Sequence, residues 1–283
     1  MHITVNGAKL YVDIEGAGLV ADGPRMREKP TLVLLHGGPG FDHTAFKPHF
    51  SQLTDLCQIV YVDHRGNGRS EDGDPKHWNL AQWGDDVKTL CDTLGIVKPI
   101  VYGVSFGGFV AQSYATRHPD HPAKLVLTTT AARMNYPKVF EAFERLGGKE
   151  AREVAEAFWM TPTPERRARY IELCHPLYNA RGTGDPDAKK RSIVKMPVSM
   201  HFNGPQNEVG RMDFRAALAS IKCPVLVMAG DSDPITPKAF SDEIVAALPP
   251  HLVRYEVFER CGHSIFPDDP ASGFRVLREF IQA

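Results

Sequence analysis

Ser105 stands in Gly103-Val104-Ser105-Phe106-Gly107, a G-x-S-x-G pattern. The pattern alone is common; its setting gives it weight. Residues 100–104 form an apolar run of strand length, and residues 106–118 read as a helix ended by Pro119. A sharp strand–turn–helix corner forces its serine into a strained backbone and lifts the hydroxyl to the carboxyl end of a sheet, where clefts form. A serine hydroxyl is a weak nucleophile without a base. His263 fits that role, because it follows the last predicted strand, residues 252–258, whereas His251 precedes that strand and lies at its other end. An acid must orient the imidazole and stabilise its cation. The loop Gly230-Asp231-Ser232-Asp233-Pro234 offers two. Asp233 is assigned, and Asp231, nearer the strand end, reads as a turn cap. The stretch Thr128-Thr129-Thr130-Ala131-Ala132, after another predicted strand, offers no carboxylate.

Acyl transfer also needs donors for a developing oxyanion. His36-Gly37-Gly38-Pro39-Gly40 follows the predicted strand at residues 32–35. A glycine-rich loop lets the backbone approach a substrate oxygen. The N–H groups of Gly38 and Phe106 are assigned as the donors. Gly37, His36 and Trp159 are assigned to the substrate pocket, with His36 also read as a brace of its loop. No HExxH, no metal-ligand spacing and no G-x-x-x-x-G-K-[ST] occurs, so neither a metal nor another cofactor is expected. The five cysteines include no CxxC and read as reduced, small buried hydrophobes, Cys261 included.

These residues need a frame. Short apolar runs alternate with helical patterns, which predicts an α/β fold with a mostly parallel twisted sheet and helices on both faces. Residues 1–14 read as a hairpin turning at Asn6-Gly7, and residues 16–29 as a polar loop. The alternation fails between about residues 130 and 224, a span too long for a connecting loop. Helical patterns at 141–146, 149–159 and 165–173 fill it. Residues 133–212 are therefore expected to form an inserted helical cap, with residues 1–132 and 213–283 as the core. The run Glu165-Arg166-Arg167 reads as solvated cap surface.

Composition limits the partners. The chain of 283 residues has a formal net charge of −1, with no global field for nucleic acid or an anionic membrane. Its start lacks a basic segment followed by an apolar one, and no apolar run approaches the ~20 residues of a membrane span. A small-molecule substrate, a cytoplasmic location and a monomer or small homo-oligomer are expected.

Together, the 36–40 loop, Asp63-His64-Arg65-Gly66-Asn67-Gly68-Arg69-Ser70, the 103–107 corner, the 230–233 loop and His263 resemble the α/β-hydrolase superfamily. Within it they are similar to the proline iminopeptidase branch, with its HGGPG loop and DxRGxGxS segment. The resemblance runs from about residue 8 to the C-terminus and is weakest in the cap. It implies a cofactor-free serine hydrolase with a Ser-His-Asp triad and an acyl-enzyme. Members of that branch usually carry Trp after the nucleophile, where this chain has Phe106, and use cap carboxylates to hold a substrate ammonium. The cap has glutamates that could serve, among them Glu153, Glu156, Glu165, Glu172 and Glu208. Two substrate classes stay open: peptides or amides with a free N-terminus, the aminopeptidase/amidase reading that the HGGPG resemblance puts first, and carboxylic esters or lactones, the alternative that Phe106 and the unplaced ammonium clamp favour. A non-catalytic ligand receptor on the same fold is the remote alternative.

Overall fold

The computed structural model describes residues 1–181, 185 and 187–283; residues 182–184 and 186, inside the expected cap, lie outside the described residues. The chain opens with β1 (His2–Val5) and β2 (Ala8–Glu15), turning at Asn6 and Gly7 with φ of 46° and 77°. Positive φ at both central residues is what an Asn-Gly hairpin turn supplies. Next, β3 (Leu19–Asp22) and β4 (Arg25–Glu28) pair as a separate hairpin in the stretch expected to be a loop. Both strands are largely exposed, so they carry no buried alternation by which a sequence would reveal them.

The chain then alternates. β5 (Thr31–Leu35), β6 (Gln58–Val62), α1 (Leu80–Thr93), β7 (Ile100–Val104), α2 (Phe106–Arg117) and β8 (Lys124–Thr128) come first. Five helices follow: α3 (Tyr136–Met160), α4 (Pro164–Leu173), α5 (Ala188–Arg191), α6 (Met196–Phe202) and α7 (Glu208–Arg211). β9 (Val225–Gly230), α8 (Lys238–Ala247), β10 (Val253–Phe258), α9 (Ile265–Asp268) and α10 (Pro270–Gln282) complete the strands and α-helices among the described residues. α3 is broken at Gly148, whose φ of 78° is non-helical, as the two separate helical patterns in this stretch anticipate.

Eight strands form one sheet in the order β1-β2-β6-β5-β7-β8-β9-β10. β2 runs antiparallel to its neighbours, and all pairs from β6 to β10 are parallel. The carboxyl ends of β5, β7, β8, β9 and β10 therefore share one edge, which gathers the loops that follow them. Alternate residues of the central strands serve opposite faces. Val33, Leu35, Val101 and Val227 join the core with Trp83 and Val87 of α1 and Val110 of α2. Leu34, Tyr102, Leu226 and Met228 join the other core with Phe274 and Leu277 of α10. Each such side chain contributes roughly 1.5–3 kcal/mol on burial, so the strand ends that carry the site rest on a sheet packed from both sides. Among the described residues, no helix is long and apolar enough to cross a membrane.

Candidate active site

β7 ends at Val104 and α2 begins at Phe106, so one residue turns the chain. Ser105 makes that turn at φ 53° and ψ −121°. A non-glycine residue there costs of order 1–3 kcal/mol and persists only if its surroundings hold it. They do. Its N–H donates to the Thr128 carbonyl at 3.0 Å, and its carbonyl accepts from the Thr130 hydroxyl at 2.7 Å and the Gly108 N–H at 2.9 Å. At Gly107 any Cβ would overlap the Leu35 carbonyl oxygen, so glycine lets α2 lie on the end of β5.

His263 and Asp233 meet in the adjacent loops, both buried, with Nδ1 to Oδ2 at 2.8 Å. Asp233 Oδ1 accepts the N–H groups of Ile235 at 2.7 Å and Thr236 at 2.9 Å, and Oδ2 also accepts the Thr236 hydroxyl at 2.6 Å. Burial alone would raise the Asp233 pKa; the facing imidazole and these hydrogen bonds outweigh it and hold the carboxyl below its ordinary value. A neutral imidazole that donates from Nδ1 to this carboxylate keeps its free lone pair on Nε2. Asp231 is exposed and accepts the Ser232 hydroxyl at 2.8 Å. The loop thus brings Asp233 to the histidine and leaves Asp231 at the surface. The end of β8 joins both sides: Thr129 donates its hydroxyl to the His263 carbonyl at 3.0 Å, between the two threonines that hold Ser105. Reading that segment for carboxylates alone missed this role.

The 36–40 loop lies against the serine. A Cβ at Gly37 would stand 3.1 Å from Ser105 Cβ. Gly38 has φ 55°, and a Cβ there would meet the Phe41 ring at 2.6 Å. Phe106 is the first residue of α2, where backbone N–H groups have no acceptor within the helix and the dipole favours negative charge. His36 is buried; its Nδ1 lies 3.0 Å from the Gly37 carbonyl, and its Nε2 accepts the His64 N–H at 3.2 Å. Both ring nitrogens are engaged, and burial lowers its pKa. That is the geometry of a brace. The 63–70 segment continues it: Asn67 Oδ1 accepts the Gly40 N–H at 2.6 Å, and Asp63 accepts the N–H of His43 and of Arg69.

Two stretches between β8 and β9 dock on these loops. Tyr178 accepts the His263 N–H at 2.7 Å and sets its ring edge-on to the imidazole, centroids 5.3 Å apart. Lys195 donates its N–H to the Gly40 carbonyl at 2.7 Å. Buried Asp268 fastens the first stretch, accepting the N–H groups of Gly262 at 2.7 Å, Ala180 at 2.9 Å and Arg181 at 3.1 Å. Nothing in the sequence pattern singled out Tyr178, Asp268 or Thr236. Trp159 sits in an aromatic cluster with Tyr136 and Tyr170, and Tyr170 in turn bonds the Tyr178 hydroxyl at 2.7 Å.

The glutamates considered for an ammonium clamp stand elsewhere. Glu153, Glu156, Glu165 and Glu172 are exposed. Glu208 accepts the Leu80 N–H at the start of α1, 3.0 Å away. Arg167 departs from the expected solvated run: Arg166 is exposed, but Arg167 is half-buried with its guanidinium 5.6 Å from the Phe41 ring centroid. Cys261 is buried, and desolvation pushes its thiol up to about 11, which makes it a poor nucleophile at neutral pH. A surface hollow of about 670 Å³ lies beside the docked stretch, lined by Leu177, Asn179, Arg181 and Arg260 among others, and none of Ser105, Asp233 or His263 lines it.

Residues 30–270 match the model of the alpha/beta hydrolase fold family. The carbamate hydrolase RutD of Caulobacter sp. (strain K31) is 28% identical over 253 residues, covering 87% of this chain and 85% of that protein. The proline iminopeptidase of Lactobacillus helveticus (strain DPC 4571) is 25% identical over 275 residues, covering 90% of each. Among solved structures, the esterase of Exiguobacterium antarcticum superposes with a TM-score of 0.77 at 20% identity, covering 100% of this chain and 99% of that one. That last likeness is one of fold.

Proposed function

The chain belongs to the alpha/beta hydrolase fold family, and from that premise we propose that it is a serine hydrolase working through an acyl-enzyme on Ser105. The observation that carries the reading is the Asp233–His263 pair, 2.8 Å apart and buried, tied through Thr129 to the strained turn that presents Ser105. Ser105 Oγ attacks the substrate carbonyl carbon while His263 Nε2 takes its proton. Asp233 stabilises the imidazolium that forms. The N–H groups of Gly38 and Phe106 receive the oxyanion, each worth roughly 10²–10³ in rate. Collapse of the tetrahedral intermediate breaks the bond to the leaving group, which takes the proton from His263. Water then attacks the acyl carbon, His263 takes its proton, and the second collapse releases the acid and returns the proton to Ser105.

The inserted residues 133–212 act in this reading as a cap, supported by the docking of Tyr178 and Lys195 beside the site. Esters, lactones and small amides without an N-terminal ammonium suit it best. A buried ammonium needs a facing carboxylate, and the glutamates between β8 and β9 are exposed or, for Glu208, capping α1. Gly37, His36 and Trp159 keep supporting places, His36 as the brace of the oxyanion loop.

The test is kcat/KM on p-nitrophenyl acetate for wild type and Ser105→Ala. A loss of roughly 10⁴-fold or more is expected. Hydrolysis that survives the substitution overturns the assignment.

A further inference from the structure

The inward stripe of α4 is set by helical spacing. Tyr170 and Cys174 are buried, four residues apart, and Arg167 lies one turn before Tyr170 on the same face. An apolar side chain is the ordinary occupant of such a position. The neighbouring arginines are provided for: Arg166 donates to the Thr161 carbonyl at 2.9 Å, and Arg169 to Glu172 at 2.8 Å and Glu150 at 2.5 Å. Other cations near the site are also paired, Lys195 with Asp72 and Arg181 with Asp269. Among the described residues, no carboxylate stands within 4.0 Å of the Arg167 guanidinium. The four undescribed positions, Gly182, Thr183, Gly184 and Pro186, carry no acid in the sequence.

Arg167 neighbours two residues that border the candidate site. One is Phe41, whose ring packs where a Gly38 Cβ would stand. Also nearby is Tyr178, whose ring stands edge-on to His263. Desolvation lowers the Arg167 pKa. A partly desolvated cation without a counter-charge is costly, and a guanidinium fork matches a carboxylate in two parallel hydrogen bonds.

We propose that Arg167 is the anion-recognising residue of this site, and that the substrate is an ester, lactone or amide carrying a second, free carboxylate. The proposal rests on the serine-hydrolase reading and narrows its substrate class. The same charge disfavours an N-terminal ammonium, the group an aminopeptidase must admit.

Two measurements test it. The first is the ratio of kcat/KM for monomethyl glutarate to that for dimethyl glutarate, in wild type, Arg167→Lys and Arg167→Met. The ratio is expected to fall by roughly 10–100-fold in Arg167→Met, mostly through KM on the anionic ester, with Arg167→Lys in between. The second is thermal protection by glutarate itself, measured in Ser105→Ala protein, which needs no turnover. Glutarate should raise Tm there and fail to do so once Arg167→Met is added. An unchanged ratio, or the same Tm shift with and without Arg167, overturns the proposal. If hydrolysis survives Ser105→Ala while glutarate protection still depends on Arg167, the serine-hydrolase reading falls and the anion site stands.

Discussion

Tyr178 accepts the backbone N–H of His263 at 2.7 Å, so a residue between β8 and β9 fixes the loop that carries the candidate base. The approach is close because residue 262 is glycine: a Cβ there would overlap the Tyr178 carbonyl oxygen. Gly262→Ala must therefore push one backbone off the other. The expected cost is about 1–3 kcal/mol in urea unfolding, with kcat on p-nitrophenyl acetate reduced about 100-fold, since a shift near 1 Å at a catalytic group has that scale. A variant with full kcat would mean that the docking does not position His263.

Asp268 holds the same junction from below. Asp268→Ala would leave the buried N–H of Gly262, and that of Ala180 nearer the surface, without their acceptor. A buried orphaned N–H costs roughly 1–3 kcal/mol, so a loss of about 2 kcal/mol is expected by urea unfolding. Asp268→Asn, which keeps one acceptor oxygen, should lose less. Equal stability of all three proteins would contradict this account of the junction.

Asp233→Asn tests the orientation of the imidazole. The amide oxygen can still accept from Ile235 and Thr236, so the loop should keep its shape. Its NH₂ would donate to Nδ1 and leave the proton on Nε2, the wrong tautomer for a base. A fall in kcat near 10⁴-fold with little change in Tm is expected. Activity within tenfold of wild type would shift the acid role to another residue.

Acid should destabilise the fold below neutrality. Burial holds the His64 pKa well below 6.5 and also lowers that of His36. The folded state thus keeps both rings neutral while the unfolded chain takes up protons below its ordinary value. Their contribution is fully present above about pH 6.5 and is lost as pH falls, at up to about 1.4 kcal/mol per pH unit for each. Urea unfolding between pH 7 and pH 5 should show a shallower slope in His64→Gln than in wild type. Parallel slopes would mean that His64 binds its proton equally in both states.

The frame was largely legible because its signals are local. The apolar run before Ser105, the glycines around it and the helix after it lie within one short stretch, and the strand–turn–helix corner stands there. The choice between Asp231 and Asp233 rested on position in a tight loop, and only Asp233 is buried against His263. What stayed hidden is made by distant pairs. Tyr178 meets His263 from 85 positions away in the chain, and Asp268 gathers N–H groups from residues 180, 181 and 262. Arg167 sits in a charged run whose composition suggests solvent, yet the stripe shared with Tyr170 turns it inward. The β3–β4 hairpin was invisible for the opposite reason, since it buries almost nothing.

The central claim is that Ser105 is the nucleophile, and covalent trapping tests it most directly. The protein would be treated with a fluorophosphonate, its intact mass measured, and the modified peptide mapped. The account predicts one phosphonyl adduct, located on Ser105, with hydrolysis lost in step with its formation and no adduct in either Ser105→Ala or His263→Ala. An adduct on another residue, or full labelling without loss of hydrolysis, would contradict it.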